Sequence, residues 1–593
     1  MSQTTLKIHG QSGQGIETLG MILANSLLKS GYFVFTHREY PSLIKGGNAN
    51  FQIEFGDKEI TSPHDKVNIS LVLNKLQTLW KLDELAKNAI LITDVSTQKL
   101  TEAENQIIKN KNVNQIYINT EQIIAEAQAE IIMKNIVLLG TIAQIIGLDL
   151  EVVKDVISTE LGNHSEKLEM NFKLLELGFN YNLENKFNFP TLKLNDKVEN
   201  NSNKALMTGH EALCLGAISA GLKFFFGYPM TPASNILKYL TENAKKFDIY
   251  ARQVEDEISA ITMSLGSSLG GVRSMTATSG GGYDLMTEQI SYAGISETPI
   301  VVVLGQRPGP STGMPTWTAQ GDLNLAIYGG HGEFPKLVMS LSDPYTAHEQ
   351  IQNAFNFADK YQLPVIVLTD KFLAESNFTV DPTKFKQIAI DRNLISLDDV
   401  TSLEKLPEEE KRFSEKRYEF TASGISPRWL PGTSSFDYDI NSDEHDEFGN
   451  VTEDADIASR MYEKRMRKLV SLKQELPEPE IFTNQTFDAQ TNLDNLQSYI
   501  SWGSTKCNLQ THLQNLDDKN IPAQFLHFEY LWPLKTEKLI RFLNKYKDAI
   551  VVENNYEGQF ANLIQKETGI MIVNRINNWN GRNINFNQNV KDQ

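Results

Sequence analysis

Short apolar runs alternate along most of the chain with stretches whose apolar residues recur every three to four positions. Thr5–Ile8 reads as a strand, GQSGQG (10–15) as a tight turn, and helical spacing then continues to Leu28. Strand-like runs recur at NFQIEF (50–55), NISLVL (68–73), AILITDV (89–95) and QIYINT (115–120), with helical patterns between several of them. This alternation predicts an α/β domain over residues 1–185. The Asn-rich, weakly periodic residues 186–205 predict a linker.

A second α/β region is expected over 206–385. A helical pattern from Gly209, with small residues on one face, leads into the apolar run Phe224–Phe226. Further strands are expected at VRSMTATS (272–279), TPIVVVLG (298–305) and LPVIVLTD (363–370). The last two are apolar throughout, as central parallel strands covered on both faces must be. Residues 386–480 lack regular periodicity and are too long for a loop inside a compact domain. They are expected to form an extended linker that wraps over another subunit or domain, closed by a charged helix at ASRMYEKRMRKLVSLKQEL. Residues 481–593 read as a third, smaller α/β domain with strands at SYISWGS and DAIVVENN around the helix TEKLIRFLNKY.

Composition narrows the function classes. The 593 residues are 40% hydrophobic and 22% charged, an ordinary globular balance. No apolar stretch approaches the roughly 18 residues of a membrane span. The start, MSQTTLKIHG, lacks the basic and apolar regions of a secretory leader, so a cytoplasmic protein is expected. A net charge of −18 opposes a phosphate-tracking nucleic-acid surface. Two cysteines exclude a disulfide framework and are too few for an iron–sulfur cluster, which takes about four thiolates.

Four stretches carry candidate chemistry. GYPMTPAS (227–234) places Thr231 between two prolines directly after a strand, a rigidity beyond what a turn requires. In VEDEISAI, three acids (Glu255, Asp256, Glu257) crowd the start of an apolar, small-residued helix. They suit the helix dipole, and an acid drawn into such a setting needs a partner and often has a function. TATSGGG (276–282) ends a strand in three glycines, where a backbone or cofactor can approach. Arg307, at the carboxyl end of an apolar strand, suits either a surface ion pair or a carboxylate ligand. The loop of Gly10, Gly13 and Gly15 is a possible ligand loop, but its G-x-x-G-x-G spacing is not the dinucleotide fingerprint and no acidic partner follows at the right distance. A tight crossover serves as well, and SLIKGGNANFQIEFG sets a second glycine pair where it can approach.

In combination and order, GYPMTPAS, VEDEISAI, TATSGGG, QRPGPSTGMPT with QGD, and YGGHGEFP resemble the catalytic alpha subunit of the 2-oxoacid:ferredoxin oxidoreductases. ISPRWLPGT and DEHDEFGN resemble that subunit's linker, and residues 10–53 resemble the family's gamma subunit, fused ahead of alpha. In the gamma loop, Ser12 stands where the family usually has glycine, which a tight turn tolerates if its φ is negative. The resemblance implies three α/β domains: a Gly-loop gamma domain, a pyrimidine-type thiamine diphosphate domain and a transketolase-C-like domain. It implies that Glu257 hydrogen-bonds the cofactor's aminopyrimidine ring, that Thr231 and Arg307 hold the substrate's 1-carboxylate, and that Tyr228, Pro229, Gly280 and Gly281 lie against the cofactor. A beta subunit is implied for the Mg²⁺-diphosphate side and the [4Fe–4S] cluster, in an (alpha-beta)₂ heterotetramer. Coenzyme A is the implied acyl acceptor and ferredoxin the electron acceptor. The sequence agrees with such a split, because neither Gly56-Asp57-Lys58 nor Gly321-Asp322-Leu323 is the Gly-Asp-Gly that opens a thiamine metal motif. The fused arrangement and YGGHGEFP resemble members acting on 2-oxoglutarate; a pyruvate or branched-chain 2-oxoacid remains the alternative within the family. Outside it stand a non-catalytic scaffold, against which the triplet Thr231, Glu257 and Arg307 weighs, and a dinucleotide-dependent oxidoreductase.

Overall fold

The computed structural model describes residues 3–42, 46–73, 82–94, 100–161, 165–184, 203–395, 398, 402, 405, 407, 416–433, 438–488, 495–584 and 586. Most of the linker expected at 186–205 lies outside them, as do Leu43–Lys45 of the second glycine stretch. The chain forms two compact units: residues 1–208 with 375–384, and residues 209–374 with 385–593.

The first unit is built on one eight-stranded sheet. From edge to edge its strands are Asn114–Ile118, Leu85–Asp94, Val67–Val72, Gln3–Ser12, Gly46–Gly56, Phe33–Glu39, Asn377–Val380 and Ala205–Thr208. The first four are mutually parallel and the rest antiparallel. The strand Phe33–Glu39 is additional to the expected pattern; it opens on only three apolar residues, without alternation, and ends in the polar His37, Arg38 and Glu39. The helices Ile16–Lys29 and Lys134–Ile146 bury leucines and isoleucines against the sheet's Leu6, Ile8 and Ile53. Lys134–Ile146 meets Ser165–Glu184 backbone to backbone, since Gly140 and Gly178 each face a carbonyl oxygen of the other helix (Leu175 and Val137) with no room for a Cβ.

The second unit holds two sheets. The larger runs Tyr530–Trp532, Leu337–Ser340, Pro364–Asp370, Ile300–Gln306, Ser274–Thr278, Phe224–Gly227 and Tyr250–Gln253, parallel except for its first pair. The two runs read as central strands, Ile300–Gln306 and Pro364–Asp370, are adjacent and buried at every residue. The smaller sheet orders Glu480–Thr483, Ala523–Phe528, Gln497–Trp502, Ile550–Glu553 and Arg575–Asn577. A single apolar core joins the two, with Ile300, Val302, Trp502, Phe528 and Phe560 among its members.

The described residues of 385–480 pack over this same unit. Asp359 takes Arg273 at 2.8 Å and, from the wrapping segment, Arg392 at 3.2 Å and Arg428 at 2.7 Å. The closing helix, Ala455–Glu475, buries Lys464 and Lys468 on Glu297 at 2.6 and 2.5 Å. Burial alone would raise the Glu297 pKa; Lys464, Lys468 and Arg417 outweigh it and hold the carboxyl well below its ordinary range. Among the described residues, no helix is long and apolar enough to cross a membrane.

Candidate active site

The carboxyl ends of three neighbouring parallel strands, Phe224–Gly227, Ser274–Thr278 and Ile300–Gln306, converge in the second unit. Open parallel sheets bind ligands at this edge. The strand Phe224–Gly227 is short because Tyr228 and Pro229 take it out to solvent, both exposed. Pro232 then packs on Gly305 of the strand Ile300–Gln306, one strand beyond the neighbouring Ser274–Thr278, where an added Cβ would lie 3.1 Å from its Cγ. The Thr231–Pro232 peptide is cis. Arg307, the residue after its strand, donates from Nη1 to the Thr231 carbonyl at 2.7 Å. Thr231 and Arg307 are thus brought together directly, through the threonine's backbone oxygen. Met230 between the prolines accepts a long contact from the Thr278 hydroxyl at its sulfur, 3.9 Å.

The three acids separate into three roles. Glu255 faces solvent. Asp256 is the N-cap of the helix Glu257–Leu269 and accepts from the Ser259 amide at 2.7 Å. Glu257, the first helical residue, is 4% exposed, and its Oε1 has no hydrogen-bond partner. A buried carboxylate oxygen in that state calls for a donor from outside. Gly282 makes room beside it, since a Cβ there would lie 2.8 Å from Glu257 Oε1. Gly281 is exposed with open space where its Cβ would be, and the Ser279 hydroxyl is a second buried group without a partner. A carboxyl awaiting a donor over a glycine floor fits the nitrogen-bearing edge of an aminopyrimidine ring.

Gly280 has a different neighbour. A Cβ on it would lie 3.1 Å from both carboxylate oxygens of Asp322. Burial and the nearby Asp284 push Asp322 up to about 6, with Arg307 opposing; burial in turn lowers the Arg307 pKa against the pull of Asp322. Asp322 and Gly282 were not singled out as site residues from the sequence, although QGD and GGG were both conspicuous. The signal available for Asp322 was its place in a short motif downstream of Arg307.

In the first unit, Gly13 and Gly15 adopt φ of 91° and 73°, so this loop needs glycine for its backbone alone. Gln14 fills the turn: its Oε1 accepts from the Gln11 amide at 2.8 Å, and a Cβ on Gly10 would lie 2.7 Å from that oxygen. Asn135 donates to the Gln14 carbonyl at 2.8 Å. Ser12 avoids positive φ and pairs with Gly46, so the second glycine pair does approach this loop.

Fold and site together define a thiamine diphosphate-binding oxidoreductase subunit. A family model described as "Pyruvate flavodoxin/ferredoxin oxidoreductase, thiamine diP-bdg" matches residues 215–464, and one described as "Pyruvate ferredoxin/flavodoxin oxidoreductase" matches residues 5–181. The 2-oxoacid:ferredoxin oxidoreductase subunit alpha of a Sulfolobus species is 31% identical over 97% of this chain and 94% of its own length. The 2-oxoglutarate synthase subunit KorA of Methanocaldococcus jannaschii is 29% identical over 62% of this chain and 94% of its own. Among solved structures, the 2-oxoglutarate:ferredoxin oxidoreductase from Magnetococcus marinus, with 2-oxoglutarate, coenzyme A and succinyl-CoA bound, superimposes with a TM-score of 0.88 at 29% identity, covering 98% of this chain and 97% of that one. The chain belongs to the 2-oxoacid:ferredoxin oxidoreductases, as an alpha subunit. It is therefore one component of a multi-subunit enzyme.

Proposed function

We propose that the chain is the catalytic alpha subunit, with a gamma domain fused ahead of it, of a cytoplasmic enzyme that oxidatively decarboxylates 2-oxoglutarate or a related 2-oxoacid. The products are the acyl-CoA and CO₂, with electrons leaving to ferredoxin. The observation that carries this reading is the unpartnered, buried Oε1 of Glu257 at the strand edge that also bears the Arg307–Thr231 contact.

Bound thiamine diphosphate supplies the nucleophile and electron sink for cleaving the bond between the 2-oxo carbon and its carboxylate. This chain's residues prepare that chemistry. Glu257 holds and exchanges a proton at a pyrimidine nitrogen, a role that needs a carboxyl shielded from water. Tyr228, Pro229, Gly280 and Gly281 line the cofactor's approach, Gly281 by leaving the space beside its backbone open. Arg307 receives the substrate's 1-carboxylate through a charge-assisted hydrogen bond, and the Thr231 hydroxyl adds a second contact. The 206–385 region is the pyrimidine-side domain, and the other half comes from a beta subunit carrying Mg²⁺ and the [4Fe–4S] cluster in an (alpha-beta)₂ assembly. The surface beside Glu257 supports such a partner: Ile258 and Met263 on its own helix and Leu285 on the helix Gly280–Ile295 are each more than 40% exposed, and Gly266 and Gly281 on the same two helices have open space where a Cβ would be. Coenzyme A accepts the acyl group.

The test is turnover of the co-purified alpha–beta complex with a panel of 2-oxoacids, coenzyme A and an artificial electron acceptor. Acyl-CoA formation with 2-oxoglutarate at the highest kcat/KM supports the reading. Preference for pyruvate or a branched-chain 2-oxoacid corrects the substrate, and no turnover with any of them overturns the function.

A further inference from the structure

The interior that receives the segment 385–480 carries more positive charge than its carboxylates balance. Arg273, Arg417, Arg428, Lys464 and Lys468 are each at most 5% exposed, and the buried carboxylates they meet are Asp359 and Glu297. Five cations thus face two carboxylates, a surplus of three. Arg465, also buried, has a carboxylate of its own in Glu444 at 2.6 Å and does not alter that balance. The helices Glu257–Leu269 and Gly280–Ile295 both end here, and their dipoles supply about half a negative charge each, which offsets the surplus only in part.

Several of these cations hand spare N–H groups to main-chain carbonyls. Arg273 donates to Ala220 at 2.6 Å, and Lys468 to Gln362 at 3.1 Å. Arg417 is the exception. Its Nη2 donates to the Glu297 main-chain carbonyl at 3.3 Å, while Nε and Nη1 are buried without an acceptor. The guanidinium carbon lies 4.9 Å from the Tyr418 ring centre and 5.7 Å from that of Tyr438. The rings attract the charge but are weak acceptors for its N–H groups. Arg417 lines a small cavity together with Ser268, Thr298, Tyr418, Arg428 and Tyr438, with room for about one water-sized occupant. Ser268 and Tyr438 have committed their hydroxyl protons to the Pro299 and Trp429 carbonyls. Glu297 also borders the cavity, but its two oxygens are held by Lys464 and Lys468.

A buried cation with unserved donors calls for an acceptor from outside, and a surplus of buried charge calls for a counter-charge. A water molecule would meet the first demand and not the second; a small anion meets both. The cavity is too small for sulfate, phosphate or an organic acid. We propose that it is a binding site for a single chloride-sized anion, held by the Arg417 guanidinium. Bound there, the anion ties Arg417–Tyr438 of the linking segment to Ser268 and Thr298, which follow the two helices bearing Glu257 and the three glycines. Its role is to neutralise and fasten that seam, and no bond is made or broken.

The experiment is done on the alpha–beta complex, exchanged into gluconate buffer and titrated with sodium chloride or bromide at constant ionic strength. The thermal midpoint is expected to rise saturably by roughly 2–4 °C with either halide and not with sulfate. Crystals grown in bromide should show an anomalous peak in the cavity beside Arg417. Arg417→Met keeps most of the side chain's length and removes its charge, and should abolish the halide dependence of the midpoint. A wild type whose midpoint ignores halide, a rise that sulfate gives equally, or a halide-dependent rise that persists in R417M overturns the proposal. Should R417M fail to assemble, the bromide crystals of the wild type decide: a peak at Arg417 upholds the site, and a water-sized density without anomalous signal overturns it.

Discussion

At the scale of single residues, the account turns on Glu257. Its Oε1 is buried with no partner, packed against Gly282 where no side chain would fit, with the open Gly281 next in the chain. Glu257→Gln preserves shape and removes the exchangeable proton. We expect kcat of the complex to fall by about 10²–10⁴, with urea unfolding of the chain unchanged or slightly in favour of the variant. Arg307→Lys loses the planar fork, and KM for the 2-oxoacid should rise roughly tenfold or more while kcat moves less, read from initial rates. Much of this site was legible as residue types and little of it as geometry. Three consecutive acids at a helix start look alike in sequence; only the turn of the helix decides that Asp256 caps, Glu255 is hydrated and Glu257 is buried. Thr231 was singled out for its two prolines, and the structure shows its carbonyl, not its hydroxyl, taking the Arg307 bond. Asp322 escaped because the turn it ends is held at Gln320 and Gly321 by residues more than 200 positions downstream, Asn554 and Gln559, and its carboxylate meets Gly280 only in the folded chain.

At the scale of elements, the apolar runs located the two central strands Ile300–Gln306 and Pro364–Asp370, since a strand covered on both faces is apolar throughout, but missed the fully buried Ala523–Phe528, whose run is broken by Gln524 and His527. Tyr250–Gln253 and Leu337–Ser340 were not anticipated. The first is an edge strand with most of its residues outside the core, and the second has only four residues, too few to show a period. The glycine loop behaved in the opposite way. Its glycines answer to backbone φ and to Gln14, so their spacing carried less chemical information than its appearance. A glycine with the larger structural consequence is Gly178, which had drawn no notice. Gly178→Ala would push a Cβ into the Val137 carbonyl between two packed helices, and should cost about 2 kcal/mol, seen as a lower thermal midpoint for the first unit with no change in KM.

At the scale of the whole molecule, the described residues of the segment 385–480 show how a chain without periodicity can still be ordered. They are held by buried charges, with Asp359 and Glu297 collecting Arg392, Arg428, Lys464 and Lys468, as well as by scattered buried apolar side chains such as Tyr418, Trp429, Met461 and Leu472. Removing one partner from such a cluster strands the others. Glu297→Gln should therefore destabilise by about 3–5 kcal/mol, measured from the urea midpoint. Because the folded Glu297 carboxyl is held below its ordinary range, its contribution is present above a pH of about 4.3 and is lost as the pH falls further. Acid should thus narrow the gap between wild type and variant.

The central claim is that this chain contributes the proton-exchanging half of a site completed by another subunit. It is tested most directly by acyl-CoA formation from a 2-oxoacid and coenzyme A with an artificial acceptor, comparing the purified chain alone, the alpha–beta complex, and the complex carrying Glu257→Gln. The account predicts no product from the chain alone, turnover from the complex, and loss of that turnover in the variant while it still assembles. Product from the isolated chain, or undiminished turnover with Glu257→Gln, would contradict it.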